Sequence, residues 1–161
     1  MKPESVVLLD FSRAESAHLS ALVQDFLTLL DDSPADDPAI ARLVPSAYPD
    51  DGQAADEFRS LTEADLLEAR RADARTVIEM IGPIDPAVLD SDAAHEVLPI
   101  TIDGVRLPAW LRTLAAVRLV LASRLGIASD DDRPVDDPRY GIYEWLAYRL
   151  DQLIEAASAQ A

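Results

Sequence analysis

The 161-residue chain contains no cysteine, no asparagine and one lysine, Lys2. Without cysteine there is no disulfide framework, no thiolate metal site, no thiol nucleophile and no thiol redox switch. Aromatic residues make up 6% of the chain and there are 5 glycines. None of them forms a glycine-rich phosphate loop, a nucleophile elbow or the aromatic strand pattern of an RNA-binding sheet. Long apolar runs are missing too. Val6 to Leu9 is among the longest, far below the ~20 residues needed to span a bilayer. Glu4 and Asp10 flank that run, which is not the layout of a signal peptide. The expectation is a soluble cytoplasmic protein.

Cations are scarce: 14 Lys and Arg stand against 30 Asp and Glu, a formal charge of −16. Non-specific nucleic-acid binding draws its free energy from cations that release counterions, so this charge opposes it. Direct DNA binding would require residues such as Arg13, Arg42 and Arg59 to gather on one face. The acidic, lysine-poor composition fits either the codon bias of a GC-rich genome or a salt-adapted surface, and neither is a function. What the chain does have is 49% hydrophobic residues. A chain of this size buries roughly 68–70% of its unfolded surface. A single globular domain over residues 1–161 is expected.

The periodicities predict a mostly α fold: a bundle of about four main helices with a small β-hairpin or two-stranded element. Residues 5 to 11 read as a strand. Ser12 and Glu15 have capping-box spacing, so a helix should start at Arg13, with Leu19, Leu22, Val23, Phe26 and Leu30 on one stripe. Asp37 followed by Pro38 marks a short helix through Leu43, and 44 to 52 read as a loop. A short helical piece from Gln53 to Ser60 should precede a long helix from Glu63 to Ile81 under a Thr62 cap, closed by Gly82 and Pro83. Residues 83 to 95 read as irregular. A second strand follows over 95 to 105, with Asp103-Gly104 as a turn into a possible hairpin arm at Val105 to Leu107, and Pro99 confining that strand to an edge or bulge. Helices over Pro108–Leu125, capped by Gly126, and Ile142–Ala157 complete the pattern.

Two arginines fall on apolar helix faces. Arg118 lies within the arc of Leu111, Leu114, Leu121 and Leu125, and Arg70 lies among Leu66, Ala74, Val77 and Ile81. A guanidinium facing a core must be paired or must reach water along its stem. One reading is an internal ion pair with Glu15, Asp65, Asp73 or Glu144. The other is a pocket in which both arginines hold an anionic ligand, since Arg reads carboxylate and phosphate bidentately. In the last helix Tyr143, Leu146, Leu150, Leu153 and Ile154 form the buried stripe, leaving Trp145 and Tyr148 off it. These two either cover the strand or the 128–141 loop, or form with Arg149 an aromatic anchor for a protein partner.

No catalytic, cofactor or metal constellation stands out. His18 and His95 have no ligand neighbours at metal spacing. The aspartate clusters at 31–37 and 130–137 lack the glycine and closing glutamate of a calcium loop.

Four segments, ARLVPSAYPDD (41–51), EFRSLTEADLLEARRADA (57–74), WLRTLAAVRLVLASRLGI (110–127) and YEWLAYRLDQL (143–153), carry a resemblance to a known family. In order and separation they resemble an actinobacterial family, labelled a domain of unknown function, that includes the actinomycete oxidative-stress transcriptional regulator. The resemblance implies a non-enzymatic regulatory protein acting in transcription. With no cysteine, oxidant sensing by a thiol pair is excluded for this chain. The charge of −16 points to indirect action on RNA polymerase, a sigma factor or another regulator rather than on DNA. Two alternatives are an interaction adaptor in regulated proteolysis and a small-anion sensor using Arg70 and Arg118.

Overall fold

The computed structural model describes residues 6–32, 37–44, 52–129 and 131–159, with the backbone alone at 52–56 and 58–61. Strand β1 (Val6–Ser12) runs without a loop into helix α1 (Arg13–Asp32). The expected capping box forms there: the Ser12 amide donates to Glu15 Oε1 at 3.2 Å, and the Glu15 amide donates to Ser12 Oγ at 3.1 Å. Along β1 the side chains alternate, so Val7, Leu9 and Phe11 are buried while Val6, Leu8 and Asp10 are exposed. The α1 stripe is as its spacing demands, with Leu19, Val23, Phe26 and Leu30 buried and Leu22 packed at its border.

Helix α2 (Pro38–Leu43) starts at the Asp37-Pro38 pair, with Asp37 Oδ1 accepting from the Ala39 amide at 2.9 Å. The loop expected next lies, from 45 to 51, outside the described residues. The two helices expected over 53–81 are one, α3 (Gly52–Ile81). Nothing between 53 and 63 lacks an amide N–H, and the segment is rich in Ala, Glu, Leu and Arg, so the capping potential of Thr62 gives way to helix propagation. Gly82 ends α3 at φ +76°, its amide donating to the Ile78 carbonyl.

The connection over 83–95 is more regular than expected. Asp85 and Pro86 repeat the Asp-Pro cap and start α4 (Pro86–Leu89), which is followed by one 3-10 turn at Asp92–His95. Strand β2 (Val97–Asp103) then pairs antiparallel with β1, Val7 opposite Ile102 and Phe11 opposite Leu98. This corrects the expected local hairpin arm at Val105–Leu107. The Asp103 side chain accepts from the Arg106 amide at 2.9 Å, turning the chain straight into α5 (Leu107–Leu125), whose first residue, Leu107, is buried. The long-range partner wins because Val7 and Leu9 present an apolar face that a three-residue arm could not cover.

Gly126, at φ +72°, closes α5 as expected. Helix α6 (Pro138–Ala159) starts four residues before the expected Ile142. A third Asp-Pro pair explains this: Asp137 Oδ1 accepts from the Arg139 amide at 2.9 Å, and the helix runs through Gly141. Among the described residues the architecture is thus six α-helices and a two-stranded antiparallel sheet. One hydrophobic cluster joins Phe11, Leu19, Val77, Ile102, Trp110, Leu114, Leu146 and Leu153.

Trp110 is fully buried and donates through Nε1 to Met80 Sδ at 3.1 Å. Trp110→Ala should cost about 3–5 kcal/mol by cavity formation. Thr113 is also buried, and its hydroxyl has no partner. Thr113→Val should therefore leave stability unchanged or raise it, because an unsatisfied polar group is replaced by a methyl of similar shape. Urea unfolding of both variants checks the contrast, and a clear loss in Thr113→Val would count against an unpaired hydroxyl.

Candidate functional site

Glu15 stands where β1, α1 and α6 meet. Besides closing the capping box, its Oε2 accepts from Trp145 Nε1 at 3.0 Å and from Arg149 Nη2. The Trp145 ring packs at 5.7 Å from that of Phe11 and edge-on to His18 at 6.0 Å. The Arg149 guanidinium lies 4.5 Å above the Phe11 ring, and its side chain is 11% exposed. Trp145 and Arg149 are therefore committed inside the fold, covering β1. Of the three residues considered for a partner surface, Tyr148 alone is exposed, with its hydroxyl accepting from Gln152 Nε2. Helical periodicity placed Trp145 off the leucine stripe, and of the coverings expected for it, the strand or the 128–141 loop, the structure has the strand, where its ring meets Phe11. Ile154, expected on the buried stripe, is exposed, because the helix's inner face narrows to Leu146, Leu150 and Leu153.

Arg118 is half-buried with its guanidinium stacked 4.1 Å above the Tyr143 ring, and its Nε has no hydrogen-bond partner. It lines a groove of about 390 Å³ with Arg133, Asp132, Tyr140, Tyr143 and Glu144. No α3 residue lines that groove, so Arg70 and Arg118 are not brought together there. Arg70 itself is half-buried on α3. The acids considered as their partners are used differently: Glu15 by Arg149, and Asp73 by Arg112 at 2.8 Å. Within the groove Asp132 accepts from the amides of Ala128 and Ser129, which hold its carboxyl below the usual range. With two carboxylates facing two guanidiniums, the groove has no net positive charge to offer an anion.

A larger groove, about 520 Å³, lies between α1 and the turn into α4, lined by Ser20, Gln24, Ile78, Glu79 and Leu89 among others. It gathers no pair of acid and base at reacting distance. Among the described residues no group of three His, Cys, Asp or Glu side chains could hold a metal ion, and no helix is long and apolar enough to cross a membrane. His18 and His95 are exposed.

A third groove, about 400 Å³, runs along β1 on the side away from β2. It is walled by Val7 to Asp10 on one side and by Arg149, Gln152, Leu153, Glu155 and Ala156 of α6 on the other. Sequence reading missed it. The one available signal was the exposed phase of the β1 alternation, Val6, Leu8 and Asp10.

The sequence profile described as Domain of unknown function (DUF2017) matches residues 1–157. The chain belongs to this family. The match runs from before β1 to the last turns of α6, so the strand pair and the Glu15 junction are both within the region DUF2017 describes. No curated protein and no solved structure matches the chain.

Burial alone would raise the Glu15 carboxyl, but hydrogen bonds from Arg149, Ser12 and Trp145 outweigh it and hold it below its ordinary 4.5. A carboxyl depressed on folding contributes stability that is present above the unfolded value and lost as pH falls through the folded one. Thermal midpoints should accordingly fall as pH drops below about 4.5, and Glu15→Gln should flatten that fall while lowering the midpoint at pH 7. Arg149→Ala should cost about 1.5–3 kcal/mol at pH 7, the range for hydrogen bonds to charged groups. Differential scanning calorimetry against pH checks both. An unchanged pH slope in Glu15→Gln would assign the acid sensitivity to other carboxylates.

Proposed function

We propose that this protein is a non-enzymatic, cytoplasmic regulatory protein that acts in transcription by contacting a protein component, rather than by binding DNA. The observation that carries the reading is how the arginines are used. Arg13, Arg71, Arg75, Arg106, Arg112, Arg124, Arg139 and Arg149 are each ion-paired within the chain. Arg42 donates to the Ile127 carbonyl, and the Arg59 side chain lies outside the described residues. Cations held by internal carboxylates are poor donors to a phosphate backbone. What is left over is an excess of acid, with 30 Asp and Glu against 14 Lys and Arg.

An acidic surface of this kind steers encounters with basic protein surfaces and rejects polyanions. The transcription setting, the actinobacterial origin and the link to oxidative stress come from the family resemblance. For this cysteine-free chain the resemblance supports regulation by contact, without thiol chemistry. RNA polymerase, a sigma factor or another regulator is the class of partner this reading favours.

Affinity capture of the tagged full chain from nuclease-treated lysate tests the reading. Retention of polymerase or sigma subunits at physiological salt, weakened by added salt, is the expected result. Retention of protease or chaperone components in their place would move the protein to an adaptor role in proteolysis. In a gel-shift titration at the same salt no sequence-specific DNA complex should form, and the appearance of one would overturn the protein-contact mechanism.

A further inference from the structure

The two edges of the sheet are not equivalent. In an antiparallel pair, alternate residues point their N–H and C=O groups at the partner strand and the rest point away. The Arg13 amide donates to the Glu96 carbonyl at 3.0 Å, continuing the register in which Phe11 faces Leu98 and Leu9 faces Ile100. The bonded phase of β1 is therefore Val7, Leu9 and Phe11. Ser12 agrees with this, because its amide turns from β2 to Glu15. Leu8 and Asp10 consequently aim their backbone groups away from β2, and the sheet has no third strand among the described residues. On β2 the outward phase is Val97, Pro99 and Thr101. Pro99 has no N–H, which blocks that edge in the manner natural sheets use to prevent further pairing. At Leu8 and Asp10 the β1 edge carries no such block among the described residues. It faces the groove whose far wall is α6.

We propose that this groove takes an extended, basic peptide segment of a partner protein as a third strand beside β1. Deepening the protein-contact reading above, and resting on it, the inference names the surface and the chemistry of what docks there. An open strand edge beside a helix is the arrangement used for strand addition, in which main-chain hydrogen bonds hold the peptide and alternate side chains select it. Leu8 and Asp10 offer the hydrogen bonds. Ala156, half-buried on α6, offers the apolar contact within the groove, and Leu8, 63% exposed, presents an apolar neighbour on the outer face. The charge selects the occupant: Asp10 and Glu155 make no ion pair among the described residues, while Arg149 is already neutralised by Glu15. A second copy of this chain would bring its own Asp10 and a charge of −16 to the same edge, which repels it.

The test measures anisotropy of a labelled peptide of sequence KVRVKVRV, with EVDVEVDV as its acidic counterpart, titrated with the full-length protein at low and physiological salt. Binding of the basic peptide alone is expected. Leu8→Pro removes an N–H from the open edge without touching the β1–β2 ladder, and should weaken binding at least tenfold. Thr101→Pro removes the equivalent N–H from the far edge and should leave binding unchanged. Should Leu8→Pro fail to fold, as read by circular dichroism, the pair Asp10→Lys/Glu155→Lys supplies the test, since it should reverse the preference between the two peptides. Amide exchange should show Leu8 and Asp10 gaining protection on binding.

Equal affinity for Leu8→Pro and Thr101→Pro, or no binding of the basic peptide, would overturn the inference. So would a concentration-dependent dimer in sedimentation that Leu8→Pro dissolves, which would give the edge to self-association. Lysate capture separates this inference from the reading it rests on. Polymerase subunits retained equally by Leu8→Pro would sink the groove and spare the protein-contact function. Peptide binding with no specific capture would do the reverse.

Discussion

One carboxylate ties the ends of the fold together. Glu15 closes the start of α1 through the Ser12 amide and, on its other oxygen, receives Trp145 and Arg149 from α6. A single side chain thus fixes the strand-to-helix entry and docks the last helix on it across more than 130 residues of sequence. The chain entropy lost in closing a loop of that length is large, and apolar packing around Phe11, Leu146 and Leu153 has to offset most of it. The hydrogen bonds contribute direction: they set the rotation of α6 about its axis, and with it which α6 residues face β1. The groove beside the strand exists because α6 is held at this rotation.

The charge of the protein follows a related logic. Most of the arginines are bound by a nearby acid, several of them linking helices, as Arg112 links α5 to Asp73 of α3 and Arg124 links α5 to Asp37 at the start of α2. Exposed pairs of this kind contribute little stability each. Their larger effect is on the surface, since pairing removes cations from it and leaves the surplus carboxylates to define the outer field. An acidic protein built this way has few positive groups to spare for phosphate.

Local chemistry was legible in the sequence and long-range partnership was not. The Ser12–Glu15 box, the Asp37-Pro38 cap, the α1 stripe and the Gly82 and Gly126 stops are all short-range devices, and each formed where its residues stand. The same grammar, applied to Asp85-Pro86 and Asp137-Pro138, accounts for α4 and for the early start of α6, where the prolines and Gly141 read more naturally as loop. The Thr62 cap was misleading because a capping pattern inside a strong helix-forming segment has no reason to break it. Of the two forms the sequence left open, a local hairpin and a two-stranded element, the structure has the second; the choice was not legible, since both the Asp103-Gly104 turn and a distant strand are compatible with the same seven residues. Arg118 and Arg70 are each half-buried, and whether an arginine on an apolar helix face meets an acid, a tyrosine ring or water depends on neighbours that periodicity does not name. Trp145 and Arg149 illustrate the same limit, their place decided by Glu15.

Pro99 carries a consequence for stoichiometry. A sheet open at both edges can be extended without limit, each added copy exposing a fresh edge to the next, which is the geometry of fibrils. With one edge closed by an imino acid, each chain offers a single open edge: once a strand docks on β1, this chain has no second edge to present to another. The fold thus sets an upper bound of one on strand-mediated valency and favours finite complexes over polymers.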